Sequence, residues 1–363
     1  MALSCGMIGL PNVGKTTVFN ALVGAGAVVA NYPFSTVETN VGIAPVPDPR
    51  VERLVEIFKS KKKTLSTLEV RDIAGLVEGA STGEGLGNQF LGQIREVDAL
   101  IHVVRCFQGS DVVHVSGSVN PLRDIGTIET ELMLADLETL DRRKQRVEKK
   151  MRAGDRKAAF EMTFIQRLTE LLDKGMWLGN LSYQPEERVI LDECQLLSSK
   201  PVLFVANASE SADAEEITVN AIREFAHERG AGVVTICGQL EAELSSLPET
   251  ERADFLSEMG LTESGLIRLT REVYQLLHLI TFFTAGETES RAWALRKGLT
   301  APQAAGKVHS DMERGFIRAE VYHYDDLMAC GSEAKVKEKG LFRLEGKDYV
   351  IKEADIVYFR FNV

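Results

Sequence analysis

An eight-residue segment near the start of the chain limits its fold more than any other feature. Residues 9–16 read GLPNVGKT, the pattern GxxxxGK[ST], between an apolar run at Cys5–Ile8 and a helical pattern at Thr17–Val23. In a strand–loop–helix context this pattern predicts a phosphate-binding loop, because backbone N–H groups and the helix dipole both face the anion. The pattern assigns the Lys15 ammonium to the β- and γ-phosphates and the Thr16 hydroxyl to Mg²⁺.

Size and charge limit the function classes. The chain has 363 residues, 44% of them hydrophobic, so two or three domains are expected. Its net charge of −11 argues against general affinity for nucleic acids, which leaves only local basic patches for such contacts. The five cysteines are scattered, and there is no leader peptide or membrane-length apolar stretch, so we expect a cytoplasmic protein without membrane contact.

Short apolar runs alternate with helical patterns over much of the chain. This alternation predicts an α/β fold with a doubly wound, mostly parallel sheet whose ligands lie at the carboxyl ends of the strands. The predicted strands are Cys5–Ile8, Thr67–Val70, Ala99–Val104, Val202–Ala206 and Gly232–Ile236.

Two segments depart from this alternation. From Ile128 to about Leu172 a proline-free helical pattern, interrupted at residues 153–155, predicts paired helices or a short coiled coil. After Tyr274 the strand signals at Ile280–Thr284 and within residues 348–361 predict a small α+β domain. We therefore expect a nucleotide-binding domain from residues 1–127 and 200–277, an inserted helical arm at 128–199, and a separate domain at 278–363.

A second motif supplies the metal site of a triphosphatase. Residues 72–75 read DIAG, a DxxG motif directly after a predicted strand. Asp72 is predicted to hold Mg²⁺ through water, and the Gly75 N–H is predicted to contact the γ-phosphate. Upstream, Thr36 is the natural second hydroxyl on Mg²⁺, with a loop threonine lacking any metal role as the alternative.

The residue after the DxxG motif bears on how the attacking water is oriented. Many GTPases have a glutamine there that orients the attacking water, but this chain has Leu76, whose aliphatic side chain cannot do so. Catalysis then needs another group or a partner. His114 is one candidate, because an imidazole can accept a proton from water, although a lone histidine is more often structural.

The segment after the strand Val202–Ala206 is where guanine-specific GTPases carry NKxD. Here it reads Asn207, Ala208, Ser209, Glu210, so alanine replaces the lysine and glutamate replaces the aspartate. The extra methylene displaces the carboxylate that would pair with guanine, which argues for adenine or for relaxed base choice. The loop at Cys237–Gly238 is expected to complete the base pocket.

Together these motifs resemble the YchF subfamily of Obg-like P-loop ATPases, in the TRAFAC class. The resemblance runs the full length: a G domain, a coiled-coil arm and a C-terminal TGS domain. It implies ATP hydrolysis favoured over GTP, dependence on Mg²⁺, and ribosome binding, for which we expect the large subunit. It also implies a catalytic role for His114 and a K⁺ site at Asn12. The expected nucleotide-binding residues are Asn12, Val13, Gly14, Lys15, Thr16, Thr17, Asn207, Ala208, Glu210, Cys237 and Gly238.

Basic residues concentrate on the predicted arm in an otherwise acidic protein. They predict contact with RNA phosphates, of rRNA or tRNA, or else a solvated helix face. The residues are Arg142, Arg143, Lys144, Arg146, Lys149, Lys150, Arg152, Arg156 and Lys157.

Two further functions fit the same motifs. One is a GTPase with the same chemistry. The other is a nucleotide-gated binding module whose hydrolysis is incidental, which the slow turnover expected from Leu76 favours.

Overall fold

The structure is a computed structural model that describes residues 3–24, 40–73, 86–108, 118–152, 155–210 and 215–362. The chain divides into two compact units. The first comprises Met1–Ala44 and Glu69–Glu272, and the second comprises Pro45–Leu68 and Val273–Val363.

The described strands form two sheets. In chain order they are β1 (Ser4–Ile8), β2 (Asn40–Val46), β3 (Lys62–Thr64), β4 (Ser66–Asp72), β5 (Ala99–Arg105), β6 (Val202–Asn207), β7 (Gly232–Ile236), β8 (Leu279–Ala285), β9 (Glu289–Arg296), β10 (Phe316–His323), β11 (Arg343–Glu345) and β12 (Asp355–Phe361).

The helices that the structure describes are α1 (Lys15–Val23), α2 (Pro49–Phe58), α3 (Leu86–Arg95), α4 (Pro121–Arg152), α5 (Arg156–Asp173), α6 (Pro185–Cys194), α7 (Glu216–Glu228), α8 (Gly238–Ser246), α9 (Glu249–Glu258), α10 (Gly265–Leu276), α11 (Ala301–Val308), α12 (Ser310–Arg314), α13 (Tyr324–Cys330) and α14 (Glu333–Glu338).

The first sheet carries the strands predicted from the apolar runs. Its order is β2-β4-β1-β5-β6-β7, and β1, β4, β5, β6 and β7 pair in parallel. Every residue of β1, β5 and β6 is buried, as expected for parallel strands covered on both faces. The α/β fold class with a mostly parallel sheet is therefore confirmed. Asn40–Val46 was not predicted as a strand.

The inserted segment is helical, with more helices than a simple pair. α4 has 32 residues, which makes it about 48 Å long. It packs against α5 and α6 around a core that includes Leu140, Ile165, Leu168 and Leu191. The predicted interruption falls between α4 and α5, and the Asp155 carboxylate caps α5 by accepting the N–H of Lys157 at 2.9 Å. Residues 153 and 154 lie outside the described part of the chain.

A buried carboxylate fixes α4 to the segment that precedes β6. Asp136 is fully buried and accepts the backbone N–H groups of Leu197 and Ser198 at 2.8 Å each, and the Ser198 hydroxyl at 2.5 Å. Burial raises the pKa of the Asp136 carboxyl to about 6, while these hydrogen bonds oppose the shift. The position of α4 therefore depends on a satisfied polar contact in an apolar setting.

The second unit corrects one domain boundary expected from the sequence. Residues 45–68 were placed in the nucleotide-binding domain, but they pack with residues 273–363. The physical reason is the apolar face of α2: Val51 and Leu54 are fully buried in one core with Phe283 and Ala292.

The sheet of this unit is mixed. Its order is β11-β10-β12-β8-β9-β3, in which β3 pairs in parallel with β9 and β12 pairs in parallel with β8. The β signal predicted for residues 348–351 forms no strand there. It gives a turn and a single bridge between Val350 and Thr300.

Candidate nucleotide-binding site

The loop between β1 and α1 needs glycine at two positions. Gly14 has φ 88°, and a β-carbon there would lie 2.2 Å from Asn207 Nδ2. A β-carbon at Gly9 would lie 2.7 Å from the Val103 carbonyl oxygen. Asn12 also has a positive φ, of 63°. The loop is therefore folded by close backbone approach, the geometry that lets N–H groups converge on an anion.

The start of α1 leaves its polar groups accessible. Within the described residues no side chain caps the helix, and its first turn carries no acidic residue. Asn12, Thr16 and Thr17 are exposed, whereas Val13 and Lys15 are buried. The positive end of the helix dipole is thus available to a phosphate.

The structure brings Lys15, Thr16 and Asp72 together at the carboxyl ends of β1 and β4. The Lys15 ammonium forms an ion pair with the Asp72 carboxylate and donates to the Ile73 carbonyl at 2.5 Å. The Thr16 hydroxyl donates to Asp72 Oδ2 at 3.0 Å. Thr16 and Asp72 are 56 residues apart in the sequence. The phosphate-loop motif and the DxxG motif therefore contribute to one polar cluster.

This cluster suits the metal that the sequence predicts. A hydroxyl and a carboxylate held side by side are the hard oxygen donors that Mg²⁺ prefers. Thr16 and Asp72 would hold the ion, which would neutralise charge on the phosphates when bound. In the described ranges no group of three or more His, Cys, Asp or Glu side chains forms a separate metal cluster. Thr36, Gly75, Leu76 and His114 lie outside the described residues.

The Asn207 side chain joins the phosphate loop to the predicted base pocket. It is buried at the end of β6, and its Nδ2 donates to the Val13 carbonyl at 2.9 Å. Its Oδ1 accepts the Gly238 N–H at 3.0 Å. Both ends of the amide are therefore used to hold loops in place.

The other residues of the predicted base pocket lie near the Asn207 side chain or next to it in the chain. Ala208 is buried and donates its N–H to the Ile236 carbonyl at 2.9 Å, whereas Glu210 is exposed. Burial raises the pKa of the Cys237 thiol, and the nearby Glu210 carboxylate adds to the rise. Cys237 is therefore a neutral thiol and not an activated nucleophile.

Two supporting residues were missed by the sequence analysis. Arg105, at the end of β5, is almost fully buried, donates to the Phe107 carbonyl at 3.1 Å, and places a guanidinium nitrogen 3.5 Å from the Asn12 carbonyl. Glu215 is buried and accepts the Ser209 N–H at 2.7 Å. An arginine at the end of a strand that is otherwise apolar except for His102 is the signal that could have revealed Arg105.

The described histidine of the first sheet, His102, lies in the apolar core. His102 is buried in β5 and packs on the Phe204 ring with centroids 5.5 Å apart. Burial lowers the pKa of His102 to about 3, so its imidazole is neutral at physiological pH.

Comparisons with known proteins show the family of the chain. Residues 4–133 match a family described as 50S ribosome-binding GTPase, and residues 279–362 match the family YchF-GTPase_C, described as a protein of unknown function. The chain is similar to the Ribosome-binding ATPase YchF of Bacillus subtilis (strain 168), with 48% identity over 366 residues, and of Pasteurella multocida (strain Pm70), with 47% over 363. Both matches cover all of each chain.

A solved structure, described as the Schizosaccharomyces pombe YchF GTPase, is similar over nearly the full length. It is 33% identical, with a TM-score of 0.86 over 99% of this chain and 97% of that one. Among the described residues, no helix has the length and apolar character needed to cross a membrane.

Asn207→Ala should weaken the binding of ATP and of GTP by the same factor. The side-chain amide holds the loops at Val13 and Gly238, and these loops are needed for either nucleotide. Losing two buried hydrogen bonds costs about 1–3 kcal/mol, which corresponds to a loss of roughly 5-fold to 150-fold in affinity. Calorimetric titration with both nucleotides measures this, and Asn220→Ala, an exposed asparagine on α7, is the control. A loss confined to one nucleotide would show that the amide reads the base instead.

Proposed function

The chain belongs to the YchF family of P-loop ATPases, and from that premise we propose that it hydrolyses ATP and binds ribosomes in a nucleotide-dependent way. The observation that carries the chemistry is the cluster of Lys15, Thr16 and Asp72 beside the phosphate loop. Ribosome binding rests on relatives that carry it in their names and match the whole chain. Ribosomes imply the cytoplasm as the place of action.

The proposed preference for ATP over GTP rests on the segment after β6. The relatives are named ATPases, while the S. pombe structure is described as a GTPase, so names alone do not choose the base. Ala208 offers no stem to cover a purine, and the longer side chain of Glu210 moves its carboxylate away from the position that would pair with guanine. These two residues favour adenine.

The proposed roles of the remaining residues follow from their chemistry. Lys15 neutralises the transferring phosphate, Gly75 contacts it through its N–H, and Thr16, Thr36 and Asp72 organise Mg²⁺. Asn12 is proposed as a K⁺ ligand. With leucine at position 76, His114 is proposed to position or deprotonate the attacking water.

Ribosome contact is proposed to involve the large subunit and two parts of the chain, the helical arm at residues 128–199 and the TGS domain at 278–363. The arm presents most of its basic side chains on α4. The second candidate function, a binding module with incidental hydrolysis, is favoured by Leu76 alone. Turnover measured with and without ribosomes separates the two.

Replacing both Ala208 and Glu210 should shift base preference. Ala208→Lys with Glu210→Asp restores the ring cover and the carboxylate position, so the ratio of GTP to ATP affinity should rise by about tenfold. We expect partial conversion, because Ala208 is buried and a lysine there must extend outward. Calorimetry on the double variant, with both single variants as controls, gives the ratio; wild-type protein that binds GTP as tightly as ATP would contradict the adenine assignment.

Lys15→Ala should lower ATP turnover by roughly a hundredfold or more, because it removes a charge that stabilises the transition state.

His114→Ala should lower turnover and leave ATP affinity nearly unchanged, since a water-positioning group acts only in the chemical step. Single-turnover hydrolysis and equilibrium binding separate the two effects. Wild-type turnover by His114→Ala would mean that another group or a partner places the water.

Ribosome binding should depend on the nucleotide. Full-length protein is sedimented with purified ribosomes and separated subunits in the presence of ADP or a non-hydrolysable ATP analogue, and we expect several-fold more protein in one pellet. The full chain is needed, because removing the C-terminal domain would strip Val51 and Leu54 of their core partners. Lys15→Ala should abolish the difference, whereas equal pelleting in both states by the wild type would contradict a nucleotide-dependent switch.

A further inference from the structure

A cleft of about 520 Å³ opens at the side of the arm. Its walls come from α3, α4, α5 and α6, all within the first unit. The basic side chains that line it are Arg95, Arg142, Arg143, Arg146 and Lys150, and the acidic ones are Glu161 and Glu193. The net charge of the protein is negative, but positive charge is concentrated in this cleft.

The two acids of the cleft are already paired. Arg143 donates through Nε to Glu161 at 2.6 Å and through a terminal nitrogen to Glu193 at 2.7 Å. Among the described residues no ion pair engages the other four basic side chains. Arg143 is therefore a structural member of the arm, and the remaining cations carry the net charge of the cleft.

Two of these cations converge on one hydroxyl group. The guanidinium groups of Arg95 and Arg142 lie 3.4 Å and 3.5 Å from Thr139 Oγ1. Asp136 attracts Arg95, but this carboxylate is buried and already accepts three hydrogen bonds. Two guanidinium groups that converge on one hydroxyl are placed so that both can bind the same anion beside Thr139.

The cations also form a row. Arg142, Arg146 and Lys150 are four residues apart on α4, so they follow one another along one face at steps of about 6 Å. Steps of this size resemble the separation of successive phosphates along a nucleic acid strand. A single small anion would use only one end of the row.

We propose that this cleft binds the phosphodiester backbone of RNA, with Arg95 and Arg142 on one phosphate and Arg146 and Lys150 on those that follow. The proposal rests on the ribosome-binding function and names the contact that the arm makes. Arg95 belongs to α3, so the site is not a property of the arm alone. Arginine suits this role because its planar group binds phosphate oxygens in pairs.

The test compares two charge-matched pairs of substitutions in the full-length protein. Arg142→Gln with Arg146→Gln removes two cations from the cleft, and Lys144→Gln with Lys149→Gln removes two exposed cations of α4 that do not line it. The probe is a labelled oligouridylate of about twelve nucleotides, followed by fluorescence anisotropy over a potassium chloride series. ATP binding and circular dichroism verify that each variant is folded.

The cleft pair should lose about tenfold or more in affinity, and its salt slope should fall by roughly 1.4, about 0.7 for each lost phosphate contact. The control pair should lose less than about twofold, with its slope unchanged. Arg95→Gln alone should weaken binding and lower the slope by about 0.7. Equal losses in the two pairs would overturn the proposal, because only diffuse charge would then matter, and an unchanged Arg95→Gln would remove α3 from the site.

Inorganic tripolyphosphate distinguishes the source of the phosphate. It should compete weakly, since it spans only part of the row, and binding as tight as that of the RNA would overturn the proposal in favour of a small-anion site. Failure of the ribosome proposal is seen separately, as wild-type protein that does not sediment with ribosomes. Failure of the cleft proposal is seen as equal RNA affinity of the two variant pairs while the wild type sediments normally.

Discussion

The side-chain amide of Asn207 makes the geometry of the phosphate loop depend on residues from the far end of the first sheet. One amide group donates to Val13 and accepts from Gly238, and it approaches Gly14 so closely that no side chain fits there. Because the Asn207 amide is buried, losing either hydrogen bond would leave a polar group without a partner in an apolar environment. The free energy of desolvating that group would then not be compensated. The loop that binds phosphate and the loop expected to contact the base therefore hold one shape together.

A second set of buried polar contacts fixes the root of the arm. Asp136 holds the segment before β6, and the Lys200 ammonium donates to the Arg95 carbonyl at 3.0 Å and to the Val97 carbonyl. Burial lowers the pKa of the Lys200 ammonium, which marks this contact as one made away from water. The backbone of Arg95 is thus tied to the entry of β6 while its side chain lies in the basic cleft. The end of α3 and the arm consequently share one anchoring network.

Much of the first sheet could be predicted because buried parallel strands read as continuous apolar runs. β1, β5, β6 and β7 begin and end within one residue of the predicted bounds. β2 could not be predicted this way, since its residues alternate between buried and exposed and include glycine and proline. β3, with the sequence KKT, has no apolar residue and exists only because β9 offers it a pairing edge.

The residues of the candidate site, too, could be predicted only in part from the sequence. Lys15, Asp72 and Asn207 were predicted from motifs whose spacing reflects a shared chemistry, and the structure places them around one loop. Arg105 was missed, because its contact with the loop joins residues 93 positions apart. The pairing of Arg143 with Glu193 likewise spans 50 residues, so the sequence analysis listed Arg143 with the basic residues predicted to contact RNA or to form a solvated face. Long-range pairing of charged groups is what sequence patterns do not encode.

The division of the second unit has a consequence for how the chain is made. Residues 45–68 are synthesised early, but Val51 and Leu54 find their partners only when residues beyond 273 have been added. Until then α2 carries an apolar face with nothing to cover it, and β3 has no neighbouring strand. Completion of this unit must therefore wait for the last quarter of the chain, and a ribosome that stalls before that point leaves exposed the kind of apolar surface that chaperones bind.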